Sequence, residues 1–123
     1  MFSDNLVYLD RSDNQILPIE IVNLKFYKGP HEYMGRPSIL GNPYSSKKSK
    51  IAKFKTSSVE ESIEKFEIWL YSQIEADDEL IIGEITRLAK IAENGSLILG
   101  CWCWPFTRCH CEIIKEVIEE FLR

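Results

Sequence analysis

The sequence predicts an α/β domain, Rossmann-like and three-layered, with helices covering a mostly parallel sheet and a hairpin added at the amino terminus. Three observations carry this. β-prone and helix-periodic segments alternate along the chain, and Ser96–Cys103 is apolar on both alternating faces, as a doubly covered central strand requires. A stretch rich in glycine and proline follows the first core strand, where open α/β sheets place their ligand loops.

The elements follow in order. Leu6–Leu9 and Ile16–Leu24 are β-prone runs, and the polar cluster Asp10–Gln15 between them suits a hairpin turn. The second run ends near Asn23, so a polar side chain is expected at its carboxyl end. From Tyr27 to Lys50 periodicity vanishes, and Gly29, Pro30, Gly35, Pro37, Gly41 and Pro43 interrupt any regular pattern. The same stretch carries Tyr33, Met34, Ile39 and Leu40, which favours an ordered loop folded over a site. Ser58-Val59-Glu60-Glu61 has capping-box spacing, and Val59, Ile63, Phe66 and Leu70 share one helical face, so a helix is expected over Val59–Ile74. A second helix opens at Asp77-Asp78-Glu79, repeats Ile81, Ile85, Leu88, Ala89 and Ala92, and stops at Asn94-Gly95. After the central strand and Pro105, Ile113, Ile114, Val117, Ile118 and Phe121 mark a closing helix over Glu112–Leu122.

A chain of 123 residues with 45% apolar and 28% charged residues suits one core, hence a single domain over 1–123. Nineteen acidic against fifteen basic residues exclude a surface that is wholly a nucleic-acid footprint. Five lysines between Lys47 and Lys55 can attract phosphate, but such a run more often forms a solvated face, so nucleic acid is not the favoured partner. No window reaches the roughly 18 to 20 apolar residues of a membrane span, and Met-Phe-Ser-Asp-Asn lacks the basic flank of a signal peptide. A cytoplasmic protein without membrane partners is the expectation.

Two motifs carry chemistry. In Gly35-Arg36-Pro37-Ser38-Ile39-Leu40-Gly41-Asn42-Pro43-Tyr44 the glycines permit close backbone approach, Arg36 can clamp phosphate or carboxylate, and Ser38 and Asn42 add neutral hydrogen-bonding groups. A structural turn accounts for the same residues nearly as well. The second motif runs from Cys101-Trp102-Cys103-Trp104-Pro105 to Cys109-His110-Cys111-Glu112, from strand end to helix start. Cys101, Cys103, Cys109 and Cys111 lie too close in sequence for a disulfide framework. Packing, metal and catalysis remain open. A zinc reading uses Cys101, Cys103, Cys109, His110 and Cys111, although structural zinc more often draws cysteine pairs from separated knuckles. A covalent reading uses Cys109 with His110 as base and Glu112 nearby, against the tendency of adjacent residues at a helix start to point apart. Trp102, Trp104 and Phe106 offer rings for stacking or for the core.

Val22-Asn23-Leu24, the Gly35–Tyr44 loop and the Cys-Trp-Cys-x-Pro then Cys-His element, taken in this order, resemble domain-of-unknown-function family 4326 from about Ile19 onward, which implies a family-like core over 19–123 and leaves 1–18 outside it as an added hairpin suited to homodimerisation. The resemblance implies a phage or bacterial origin, with host cytoplasm as the location for a phage protein, and a site shared by the two motifs; it names no reaction. The chain departs from that pattern in the three residues Phe106-Thr107-Arg108 between proline and Cys-His, and in Cys111 before Glu112. Both departures weaken a rigid catalytic reading more than a binding one.

The favoured expectation is binding of a phosphate-bearing nucleotide or nucleotide-derived small molecule, without a cofactor, by Asn23, Arg36, Ser38, Gly41, Asn42, Tyr44, Cys103, Trp104, Cys109 and His110. Arg36 would clamp phosphate, and Trp104 or Tyr44 would stack the base. For a phage protein this extends, by analogy, to sequestering a host immune-signalling nucleotide. The alternatives are an enzyme acting on a nucleotide or nucleobase through Cys109, His110 and Glu112, and a zinc-stabilised interaction module.

Overall fold

A computed structural model describes residues 18–45, 54–102 and 109–123. Its element order is β1 (Ile19–Asn23), β2 (Glu32–Tyr33), β3 (Tyr44–Ser45), β4 (Phe54–Lys55), α1 (Val59–Glu75), α2 (Glu79–Glu93), β5 (Leu97–Cys101) and α3 (His110–Leu122). Three strands form a sheet in the order β1-β5-β2, with both pairings parallel, and β3-β4 form a separate parallel pair. The α/β class and the mostly parallel sheet agree with the sequence.

β5 is the middle strand, as its unbroken apolar run implies. Ile19 stands beside Leu97, Ile21 beside Leu99 and Asn23 beside Cys101. That face belongs to the core, where Ile19, Ile21, Leu97, Leu99 and Cys101 meet Phe66 and Leu70 of α1, Ile85 and Leu88 of α2, and Ile114 and Ile118 of α3. On the other face Glu20 is exposed, Ile98 is half-buried, and Leu24 and His31 crowd Gly100. The described residues therefore display a sheet and one helical layer. They do not extend to the second layer of a Rossmann-like arrangement, and the Leu6–Leu9 half of the expected hairpin lies outside them.

The helices begin where the capping chemistry places them. Ser58 caps α1 by accepting from Glu61 N at 3.1 Å, while Glu61 reaches Ser57 N at 2.6 Å, one residue earlier than a regular capping box. These bonds to Ser57 hold the Glu61 carboxyl below its ordinary pKa. Asp78 caps α2 through Ile81 N at 3.1 Å, with Asp77 just before it in the left-handed region at φ 57°, which aspartate tolerates. α3 starts at His110, two residues before the expected start, because Cys109 takes the cap position and its sulfur accepts from Cys111 N. Sequence rules look for an oxygen-bearing side chain there.

The expected long loop is interrupted by β2 and β3, each of two residues. β2 lies along β5, and the pairing is extended by Met34 N donating to Gly100 O at 3.0 Å. Phe66, at 0% exposure, is the largest fully buried side chain among the described residues. Its truncation to alanine would cost about 3 to 5 kcal/mol.

Candidate functional site

Parallel pairing brings the carboxyl ends of β1 and β5 to one edge of the sheet, where the two sequence motifs converge. Asn23 fastens this edge. Its Nδ2 donates to Trp102 O at 3.2 Å and its Oδ1 accepts from Lys25 N at 2.9 Å, so both ends of the buried amide hold backbone. Leu24 N adds a bond to Cys101 O at 2.8 Å.

The glycine loop is built around Arg36. Its Nη1 donates to Asn42 O at 2.8 Å and to Tyr44 O at 3.1 Å, closing the loop on itself. Asn42 is buried; its Nδ2 donates to Ser62 Oγ at 2.9 Å and its Oδ1 accepts from Tyr44 N at 2.9 Å. Ser62 Oγ in turn donates to Tyr44 O at 3.0 Å, which pins the loop to α1. A Cβ on Gly41 would come within 3.0 Å of Arg36 Cα and Gly35 O, so this glycine admits the loop's own backbone. Tyr44 stacks on Phe54 with ring centroids 5.1 Å apart. Ser38 Oγ is different: it is buried without a hydrogen-bond partner among the described residues.

His110 joins the loop to the cysteine element. Its Nε2 lies 2.6 Å from Met34 O, and since a carbonyl only accepts, Nε2 carries the proton and Nδ1 is the bare nitrogen. Nδ1 lies 3.7 Å from Cys109 Sγ. The expectation that these neighbours point apart is not met: Cys109 is extended (φ −137°, ψ 140°) while His110 is already helical, which turns both side chains inward. The Phe66 ring packs edge-on against the imidazole at 5.2 Å. Burial, reinforced by the Arg36 cation, lowers the His110 pKa, opposed by the Met34 bond and by Cys101. Sγ atoms of Cys101, Cys109 and Cys111 all lie within 4.8 Å of one another, and all three residues are buried.

The family model described as Domain of unknown function (DUF4326) matches residues 22–120, a span that contains Asn23, the glycine loop and the Cys-His element. The chain belongs to this family. No curated protein and no solved structure matches it.

In this family member the structure gathers Asn23, Cys101, Cys109, His110 and the Arg36 loop at one sheet edge. It turns several of the expected ligand contacts inward. Asn23, Asn42 and Gly41 serve the loop and strand backbone, one face of Tyr44 is taken by Phe54, and Cys109 is fully buried. Cys103 and Trp104 lie outside the described residues, as do Lys47, Lys48, Lys50 and Lys53 of the lysine run. Glu112 is half-buried in the first turn of α3. Sequence reasoning missed Met34, whose carbonyl orients His110, and Ser62, whose hydroxyl holds the loop. Ser62 was detectable as a polar residue beside Ile63 on the apolar face of α1; a role carried by a backbone carbonyl leaves no mark in sequence. An open depression of about 520 Å³ lined by Arg87, Lys90, Ile91, Asn94, Gly95 and Ser96 lies beyond the opposite end of β5. No helix among the described residues is long and apolar enough to cross a membrane.

Proposed function

We propose that this chain binds a phosphate-bearing nucleotide or nucleotide-derived small molecule at the carboxyl-terminal edge of its sheet, with Arg36 as the phosphate clamp. The observation that carries the reading is the state of that guanidinium. It is half-buried, its Nη1 is fixed by two carbonyls, and it pairs with no carboxylate among the described residues. Its Nε and Nη2 hydrogens have no partner there either, which leaves a preoriented pair of donors of the kind that engages phosphate in bidentate fashion.

Two further features support it. The Ser38 hydroxyl, buried without a partner among the described residues, lies in the same loop, and buried polar atoms of this kind ordinarily have a partner. Phe26, 66% exposed just after β1, and Trp102, 62% exposed just after β5, offer rings for a base at the same edge. Complete burial of Cys109 favours holding a ligand over covalent turnover by its thiol. In a phage setting, the corresponding role is sequestration of a host signalling nucleotide.

Native mass spectrometry of the full chain, mixed with nucleoside mono- and diphosphates and with the parent nucleosides, tests the proposal. Adducts are expected with the phosphorylated compounds and not with the nucleosides. Equal adducts with both sets, or none with either, would remove Arg36 as a phosphate clamp.

A further inference from the structure

Cys101 ends the central strand, Cys109 caps α3 and Cys111 lies in its first turn, so the fold brings three thiols from two elements into one buried cluster. Their sulfurs lie within 4.8 Å of one another. Thiolates sharing a tetrahedral zinc, with Zn–S of about 2.3 Å, stand about 3.8 Å apart, so closing the cluster takes shifts of about 1 Å at most.

The surroundings favour thiolate ligands. Cys111 N already donates to Cys109 Sγ at 3.4 Å, and the positive end of α3 lies behind that sulfur. His110 supplies a nitrogen in the required state. Its Nε2–H is held by Met34 O at 2.6 Å, which leaves the Nδ1 lone pair 3.7 Å from Cys109 Sγ. Nitrogen and sulfur on one tetrahedral zinc stand about 3.5 Å apart. A backbone carbonyl orienting the far ring N–H is also how ligating histidines are commonly supported. Cys101 Sγ lies 3.8 Å from Val22 O, a weak contact that coordination would release.

We propose that Cys101, Cys109 and Cys111 hold a zinc ion, and that His110 Nδ1, which stands 3.7 Å from Cys109 Sγ but outside the 4.8 Å cluster of the three sulfurs, is drawn in as the fourth ligand. Zinc displaces the three thiol protons to solvent, and three thiolates with a neutral imidazole leave the centre with one net negative charge. The site is closed and therefore structural. It locks the end of β5 to the start of α3 and, through Met34, to the glycine loop. The inference is independent of the nucleotide reading, since the metal is measured with no nucleotide present.

The test uses the full chain, reduced and purified without chelator. Elemental analysis is expected to find one zinc per chain. After zinc is removed, cobalt titration is expected to give a thiolate-to-cobalt charge-transfer band in the near ultraviolet that saturates at one equivalent. Cys111→Ser is expected to lose stoichiometric binding. His110→Gln is expected to keep the thiolate band but change the visible bands that report the fourth ligand. Because either variant can fail to fold, the wild-type spectrum decides. Reduced chain with native circular dichroism and no near-ultraviolet band at one equivalent of cobalt would overturn the proposal, and so would a folded Cys111→Ser variant that retains its zinc.

Discussion

Replacing Asn42 by alanine separates a loop-building role from a ligand-reading one. The wild-type amide makes two bonds of 2.9 Å, to Ser62 Oγ and from Tyr44 N. Each is worth about 1 kcal/mol net, and the Tyr44 N–H left without an acceptor adds about 1 kcal/mol or more. A loss of about 3 kcal/mol follows. Unfolding entropies of about 2.1 cal/mol/K per residue convert that into a drop of about 10 °C in melting temperature for a chain of this length. Thermal and urea denaturation followed by circular dichroism measure it. Asn42→Asp keeps the acceptor for Tyr44 N but loses the donor to Ser62 and sets a buried carboxylate against the Ser62 carbonyl, so its drop should be at least as large. A melting temperature for Asn42→Ala within about 2 °C of wild type, together with lost nucleotide binding, would refute the reasoning and assign the amide to the ligand.

Gly41→Ala places a Cβ within 3.0 Å of the Arg36 and Gly35 backbone, which cannot rotate aside. It should cost about 1 to 3 kcal/mol and weaken nucleotide binding by displacing Arg36, whereas a variant with wild-type melting and affinity would show that the loop has room. Ser38→Ala removes a buried hydroxyl without a partner among the described residues, so stability should hold or rise by about 1 kcal/mol while binding falls; a stability loss in denaturation would mean that the hydroxyl is bonded in the free protein. Tyr71 is pushed up to about 12 by burial and by its hydrogen bond to Glu120. Its neutral form is the one the fold favours, so its contribution to stability is complete below about pH 10 and is lost as pH rises toward 12. The tyrosinate absorbance difference between wild type and Tyr71→Phe should therefore appear late in an alkaline titration and earlier in Glu120→Gln.

Much of the fold was legible because it rests on periodicity. Ile63, Phe66 and Leu70 mark α1, Ile81, Ile85 and Leu88 mark α2, and the two-faced apolar run marks β5 as central. β2, β3 and β4 were not legible, since two residues carry no period and their pairing is decided by a neighbouring backbone. The meeting of the glycine loop with the Cys-His element was readable from the rule that ligand loops gather at the carboxyl ends of parallel strands. The use of Asn42 was not, because an asparagine that reads a ligand and one that holds a loop look the same in sequence. Nor was the approach of His110 to Cys109, which depends on an extended cap residue followed directly by a helix.

Titration calorimetry of wild type and Arg36→Lys with one phosphate-bearing nucleotide and its nucleoside is the most direct measurement. Lysine keeps the charge and loses the fork. Binding of the nucleotide to wild type with one site per chain, a loss of about tenfold or more in Arg36→Lys, and no heat with the nucleoside are expected. Equal affinities of wild type and a folded Arg36→Lys, or no heat from any phosphate-bearing nucleotide, would contradict Arg36 as the clamp.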